Sequence, residues 1–130
     1  MRARLILTAL LLMVVTASLA AAAPTPPLVP FSKQAFTAAQ AENRPIVVFV
    51  HASWCVTCRK QEPILRQLLS DPAFKAVTVF VVDYGDKATL KELNVADRST
   101  LVAFHGKTER ARSSFSTDPA EIRGLFSKAL

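Results

Sequence analysis

The residues with the clearest capacity for chemistry are Cys55 and Cys58 in the segment Trp54-Cys55-Val56-Thr57-Cys58, and they are the chain's two cysteines. Three positions apart at the start of a helix, the second sulfur comes round close to the first. One thiol can then attack a mixed disulfide made by the other and release the product. A junction between a strand and a helix offers unsatisfied backbone amides and the positive end of the helix dipole, and both favour a thiolate on Cys55. Arg59 and Lys60 add positive charge beside it. The ring closed by such a pair is too short to stabilise a fold by restricting the unfolded chain, so the pair needs a chemical explanation. A metal-binding reading stays open beside it. Cys-x-x-Cys is half a zinc site, and two thiolates with the His51 imidazole could carry copper or zinc. His51 otherwise reads as a partly buried spacer or as a group that tunes the Cys55 thiolate. His105, next to Gly106 at a turn, reads as exposed. Trp54 reads as a lid that shapes approach to the dithiol, or as ordinary packing at a strand end.

The elements that must position these residues can be read from hydrophobic pattern. Ile46 to Val50 is an uninterrupted, β-branched run that suits a strand buried on both faces, with His51, Ala52 and Ser53 as its exit. From Cys55 the pattern becomes helical, with Ile64, Leu65, Leu68 and Leu69 inward until Ser70, Asp71 and Pro72 stop it. Pro63 inside this helix implies a kink. Before the strand, Ser32 caps a predicted helix through Ala41, which Asn43, Arg44 and Pro45 end. After it come a second buried strand at Val77 to Val82, a short helix from Asp86 to Leu93 and a third strand at Leu101 to Phe104. Lys107 to Phe115 returns as a hairpin partner. A last helix opens with Asp118 as N-cap, Pro119 at the first helical position and Glu121 closing a capping box. Strands alternating with helices, then a hairpin, predict an α/β fold with a mixed central sheet and helices on both faces. In such a sheet the active loops lie at the carboxyl ends of the strands, where the Cys55 turn falls.

The chain of 130 residues, 51% hydrophobic with a mean hydropathy of +0.28, is expected to form one folded domain with at most a short appendage. That excludes a multidomain enzyme and a disordered chain. Arg2 and Arg4, an apolar run from Leu5 to Val15 and small residues from Ala17 to Ala23 form the layout of a secretory signal peptide over residues 1–23. An uncleaved anchor is the weaker alternative, because the second half of the run is rich in alanine. Residues 24–30, with Pro24, Pro26, Pro27 and Pro30, read as a linker, and residues 31–130 as the domain. Without Arg2 and Arg4 the chain keeps 14 basic against 10 acidic residues, a net charge of +4. That charge is spread along the chain. Its one dense group, Lys107, Arg110 and Arg112, reads as the solvated face of an edge strand, so no nucleic-acid partner is expected.

Phe49-Val50-His51-Ala52-Ser53-Trp54-Cys55-Val56-Thr57-Cys58-Arg59-Lys60-Gln61-Glu62-Pro63 resembles the strand, active-site turn and kinked helix of the thioredoxin family, including the proline five positions after the second cysteine. The similarity runs from about Phe31 to Leu130. It implies a thioredoxin fold with a redox-active Cys55–Cys58 disulfide, in which Cys55 is the nucleophile and Cys58 the resolving thiol. Trp54, His51, Arg59, Pro63, Ser99 and Thr100 are the supporting residues. The Val56-Thr57 dipeptide and the signal sequence look more like exported bacterial thioredoxin-like domains, among them the carboxy-terminal domain of the membrane thiol-disulfide reductase, than cytosolic thioredoxin. The resemblance therefore implies an exported, periplasmic, monomeric oxidoreductase that reduces disulfides of protein partners, draws on a membrane electron donor and needs no cofactor beyond its cysteines. Two departures stand out. Phe49 occupies the position of the family's buried acid. Ser99, in Arg98-Ser99-Thr100-Leu101, occupies that of its cis-proline. A cis bond before a residue other than proline costs about 2.5–4 kcal/mol, so Ser99 is expected to be trans, with the loop facing the cysteines reshaped. A reshaped docking edge keeps a noncatalytic interaction module open as a third reading.

Overall fold

The computed structural model describes residues 26–130, so the signal-peptide reading of residues 1–23 lies outside the described residues. The elements are β1 (Val29–Pro30), α1 (Lys33–Ala41), β2 (Pro45–His51), α2 (Val56–Leu69), a 3-10 turn (Pro72–Phe74), β3 (Thr78–Asp83), α3 (Lys87–Glu92), β4 (Thr100–His105), β5 (Thr108–Ser114) and α4 (Pro119–Ala129). The five strands form one sheet in the order β1-β3-β2-β4-β5. β3 runs parallel to both β1 and β2, whereas β4 is antiparallel to β2 and β5 antiparallel to β4. This is the mixed sheet that the sequence pattern predicts.

The unbroken apolar run in β2 is explained by its place at the centre of the sheet. Alternate residues face opposite layers, and Ile46 to Val50 are all at most 1% exposed. Val47 and Phe49 join Leu65, Leu68 and Leu69 of α2 and Ile122, Leu125 and Phe126 of α4 on one face. Ile46, Val48 and Val50 join Phe36 of α1 and Leu90 of α3 on the other. Phe36 there meets Phe31, Phe80 and Phe104 at ring separations of 5.3–5.9 Å, each pair tilted or edge-on.

Three local expectations change in the folded chain. The Pro-rich stretch 24–30 is not all linker: Val29 and Pro30 pair with Phe80 and Val81, and the Phe31 amide donates to the Val81 carbonyl at 2.8 Å. Pro30 is tolerated there because an edge strand leaves one row of backbone groups without sheet partners. The capping box of α4 is relayed. Asp118 accepts from the Ala120 amide, but Glu121 accepts from the Ser116 hydroxyl, and that hydroxyl in turn accepts from the Asp118 amide at 3.3 Å. His105 is half-buried instead of exposed. Its Nδ1 lies 2.9 Å from the Ala129 carbonyl and its Nε2 lies 3.2 Å from Asn43 Nδ2. A carbonyl can only accept, so Nδ1 carries the proton and Nε2 takes the Asn43 amide hydrogen.

Candidate active site

Three chain segments meet at one end of the sheet. β2 and β3 end there, and β4, running the other way, begins there, so residues 55 and 99 become neighbours across 44 positions of sequence. Cys55 is the N-cap of α2 in extended conformation, and its Sγ accepts the Cys58 amide at 3.1 Å. The cap is therefore the sulfur itself, in the place where serine or aspartate would supply oxygen. Cys55 and Cys58 form a disulfide with their Cα atoms 5.3 Å apart, and both residues are buried. Cys58 Sγ lies 3.7 Å from the Val50 carbonyl oxygen.

Ser99 contributes most to the sulfurs' surroundings. Its Oγ is 3.0 Å from Cys55 Sγ and 3.2 Å from Cys58 Sγ. Its amide donates to the Val50 carbonyl at 2.9 Å, a bond that a proline in this position could not make. Its carbonyl accepts from the Phe115 amide and from Gln61 Nε2, both at 3.0 Å. The described residues contain no cis peptide, as expected for Ser99, and the residue takes a left-handed conformation with φ of +59°. Thr100, also buried, turns its hydroxyl to the Asp97 carbonyl at 2.7 Å and to Ser114 at 2.8 Å, which fixes the start of β4 and leaves it off the sulfurs.

Gln61 went unnoticed in the sequence. It is completely buried, and its Nε2 bridges the Ser99 and Ser116 carbonyls, tying α2 to both loops, while its Oε1 has no partner among the described residues. A signal for it existed: Cys58, Gln61, Leu65 and Leu68 share the inward stripe of α2, and a glutamine in such a stripe must bond something inside.

The remaining predicted residues divide into rim and surroundings. Trp54 is 61% exposed, meets Tyr84 edge-on at 6.3 Å and carries the Arg98 guanidinium 5.0 Å above its ring. Arg98 also lies 5.7 Å from the Phe115 ring, so the three form an aromatic and cationic rim with exposed Val56. Arg59 is exposed on the first turn of α2 and Pro63 on its outer face. Pro63, lacking an amide hydrogen, leaves the Arg59 carbonyl without its helical partner. His51 does not join the cysteines. It packs edge-on to Phe49 at 5.5 Å and lines a cavity of about 250 Å³ with Leu28, Glu62 and Arg66. Among the described residues no group of three His, Cys, Asp or Glu side chains is placed to hold a metal ion, which removes the support for a carrier built on Cys55, Cys58 and His51. Phe49 is 1% exposed in the apolar core, so the site contains no acid at that position.

A thioredoxin-like family model matches residues 28–105. The thiol:disulfide interchange protein DsbD of Escherichia coli K12 is 31% identical over 74 residues, covering 52% of this chain and 13% of that protein. The crystal structure of Trxlp from Edwardsiella tarda EIB202 superposes with a TM-score of 0.73 at 37% identity, covering 76% of this chain and 98% of that one. Oxidised thioredoxin O2 from Arabidopsis thaliana superposes with a TM-score of 0.63 at 25% identity over 77% of this chain and 91% of that one.

Proposed function

Since the chain belongs to the thioredoxin-like family, we propose that it is an exported thiol-disulfide oxidoreductase that reduces disulfides in other proteins. One observation carries this reading: a disulfide between cysteines three positions apart at the first turn of α2, with Cys55 Sγ accepting the Cys58 amide. In the reduced protein the helix N-terminus and that amide favour a thiolate on Cys55. The thiolate attacks a substrate disulfide, forming a Cys55–substrate bond and expelling one substrate thiolate. Cys58 then attacks Cys55 Sγ, expels the second thiolate and closes the Cys55–Cys58 disulfide. Two electrons pass from the protein to the substrate, and the chemistry needs nothing beyond the two cysteines.

Export is supported by Arg2, Arg4, the Leu5 to Val15 run and the small residues after it. Among the described residues no helix is long and apolar enough to cross a membrane. DsbD, of which the match covers 13%, is named for thiol:disulfide interchange, which supports thiols and disulfides as the reacting groups of this chain's partners. We take residues 1–23 as a signal peptide and the folded unit as a monomer.

Substitution tests the reading directly. Cys55→Ser should abolish exchange, and Cys58→Ser should accumulate mixed disulfides through Cys55 that mass spectrometry identifies. An exported sample that yields no trapped species would sink the proposal. The direction follows from the reduction potential of the pair in the mature protein. A value near about −270 mV marks a reductase, and one near about −120 mV would reverse the direction.

A further inference from the structure

Resting on the exchange reading, we propose that the Ser99 hydroxyl is the hydrogen-bond donor to the Cys55 thiolate and thereby shifts the redox equilibrium of the pair toward the dithiol. Among the described residues the two sulfurs, at 3.0 and 3.2 Å, are the hydroxyl's only hydrogen-bond partners, and Ser99 is completely buried. The rest of the residue is fixed, its amide on Val50 and its carbonyl on Phe115 and Gln61. The Cα–Cβ bond is therefore held in place, and only a change of χ1 rotamer inside the buried site could take the hydroxyl off the sulfurs. Neutral disulfide sulfurs are weak acceptors, so the hydroxyl gains little in the oxidised state. Two-electron reduction by two glutathione molecules breaks the Sγ–Sγ bond and forms glutathione disulfide. It leaves Cys58 as a thiol and Cys55 as a thiolate whose proton passes to solvent. That thiolate accepts a charge-assisted bond from Ser99. A partner that binds one redox state better stabilises that state.

No other side chain on the surrounding elements hydrogen-bonds either sulfur. The charged or titratable groups there include Arg59, Lys60 and Glu62 on α2, His51 at the end of β2, Asp83 and Tyr84 at and after the end of β3, and Asp97 and Arg98 before β4. Glu62 is paired with Arg66. Arg98 is stacked on the Trp54 ring. With Phe49 in the core, the serine hydroxyl is the side-chain donor the thiolate has.

The left-handed backbone at Ser99 supplies the control. Ser99→Gly removes the hydroxyl at a position where glycine is at ease, and Ser99→Ala removes it while keeping a Cβ there. Each mature variant is equilibrated with glutathione, and the pH dependence of thiol alkylation is followed with iodoacetamide. Both variants should move the equilibrium about tenfold toward the disulfide, roughly 30 mV more negative, and raise the apparent pKa of the reactive thiol by about one unit. A Ser99→Gly protein within twofold of wild type on both measures overturns the proposal, including the case where Ser99→Ala alone shifts, which would assign the effect to backbone conformation. A shift toward the dithiol also overturns it. These readings concern the pair itself. If wild type forms no mixed disulfide with any protein while the variants shift as stated, the exchange function fails and the role of Ser99 stands.

Discussion

Strand β4 is bracketed by two left-handed residues of nearly equal φ, Ser99 at +59° and Gly106 at +57°. At the Gly106 end the conformation is met by the residue that adopts it most easily, and a chain of hydrogen bonds ties it to the rest of the fold. The Gly106 amide donates to the Arg44 carbonyl, Asn43 donates to His105, and His105 donates to the carbonyl of Ala129 at the end of α4. At the Ser99 end an L-residue holds the same conformation against a penalty of about 1–2 kcal/mol, and Gln61 Oε1 lies buried with no partner among the described residues. The same backbone shape thus closes the fold at one end of the strand and aims a hydroxyl at two sulfurs at the other. Asn43, beside Gly106, is left-handed too, at φ of +55°, but asparagine adopts that conformation readily; of the two ends, the one with the chemistry holds the costlier residue and the unmet bond, where such features persist when the surroundings hold them in place.

Substitutions that exchange the properties of the two ends sharpen this contrast. Gly106→Ala should have the largest effect on stability. A Cβ there would collide with Asn43 Oδ1 and come within 3.2 Å of the Asn43 Cα, in a conformation already unfavourable for alanine. We expect a loss of about 2 kcal/mol, a fall of roughly 10 °C in thermal midpoint by calorimetry, with the glutathione equilibrium of the cysteines unchanged. A redox shift in that variant would break the division between the ends. Ser99→Gly should do the reverse and gain up to about 1 kcal/mol in denaturant unfolding, because the left-handed penalty disappears. A clear loss of stability there would mean that the hydroxyl supports the fold as much as the chemistry. The smallest effect belongs to Asp71, beyond the far end of α2. The Ala73 amide and then the Arg123 guanidinium hold its carboxyl below the usual value of 3.8. A depressed folded-state value stabilises the fold above the unfolded-state value, and the contribution is lost as pH falls through the folded one. Asp71→Asn should therefore narrow the gap in thermal midpoint between neutral pH and about pH 3, and an unchanged gap would discount the Arg123 pair.

The part of the molecule written in local pattern was readable in advance, and the part made by distant contacts was not. The β-branched run of β2, the serine cap of α1 and the Asp118-Pro119 start of α4 are signals carried by neighbours in sequence, and the structure follows them. β1 lacks such a signal, since two residues beside prolines become a strand only because β3 offers its edge. His105 read as exposed because nothing near it in sequence shows that the end of α4 will arrive beside it. The cysteines were legible for the same local reason as the helix caps. The bonds of the Ser99 hydroxyl and the clamp by Gln61 were not, because each joins residues at least 38 positions apart.

The separation of 44 residues between Cys55 and Ser99 also sets an order in time. At a synthesis rate of about 5–20 residues per second, the cysteines emerge roughly 2–9 s before the serine that will shield them. Oxidation in that interval closes only a ring between positions three apart, so it ties no remote segments together and leaves the later docking of β4 unobstructed. The nascent chain can carry its reactive pair in either state without committing to a wrong topology.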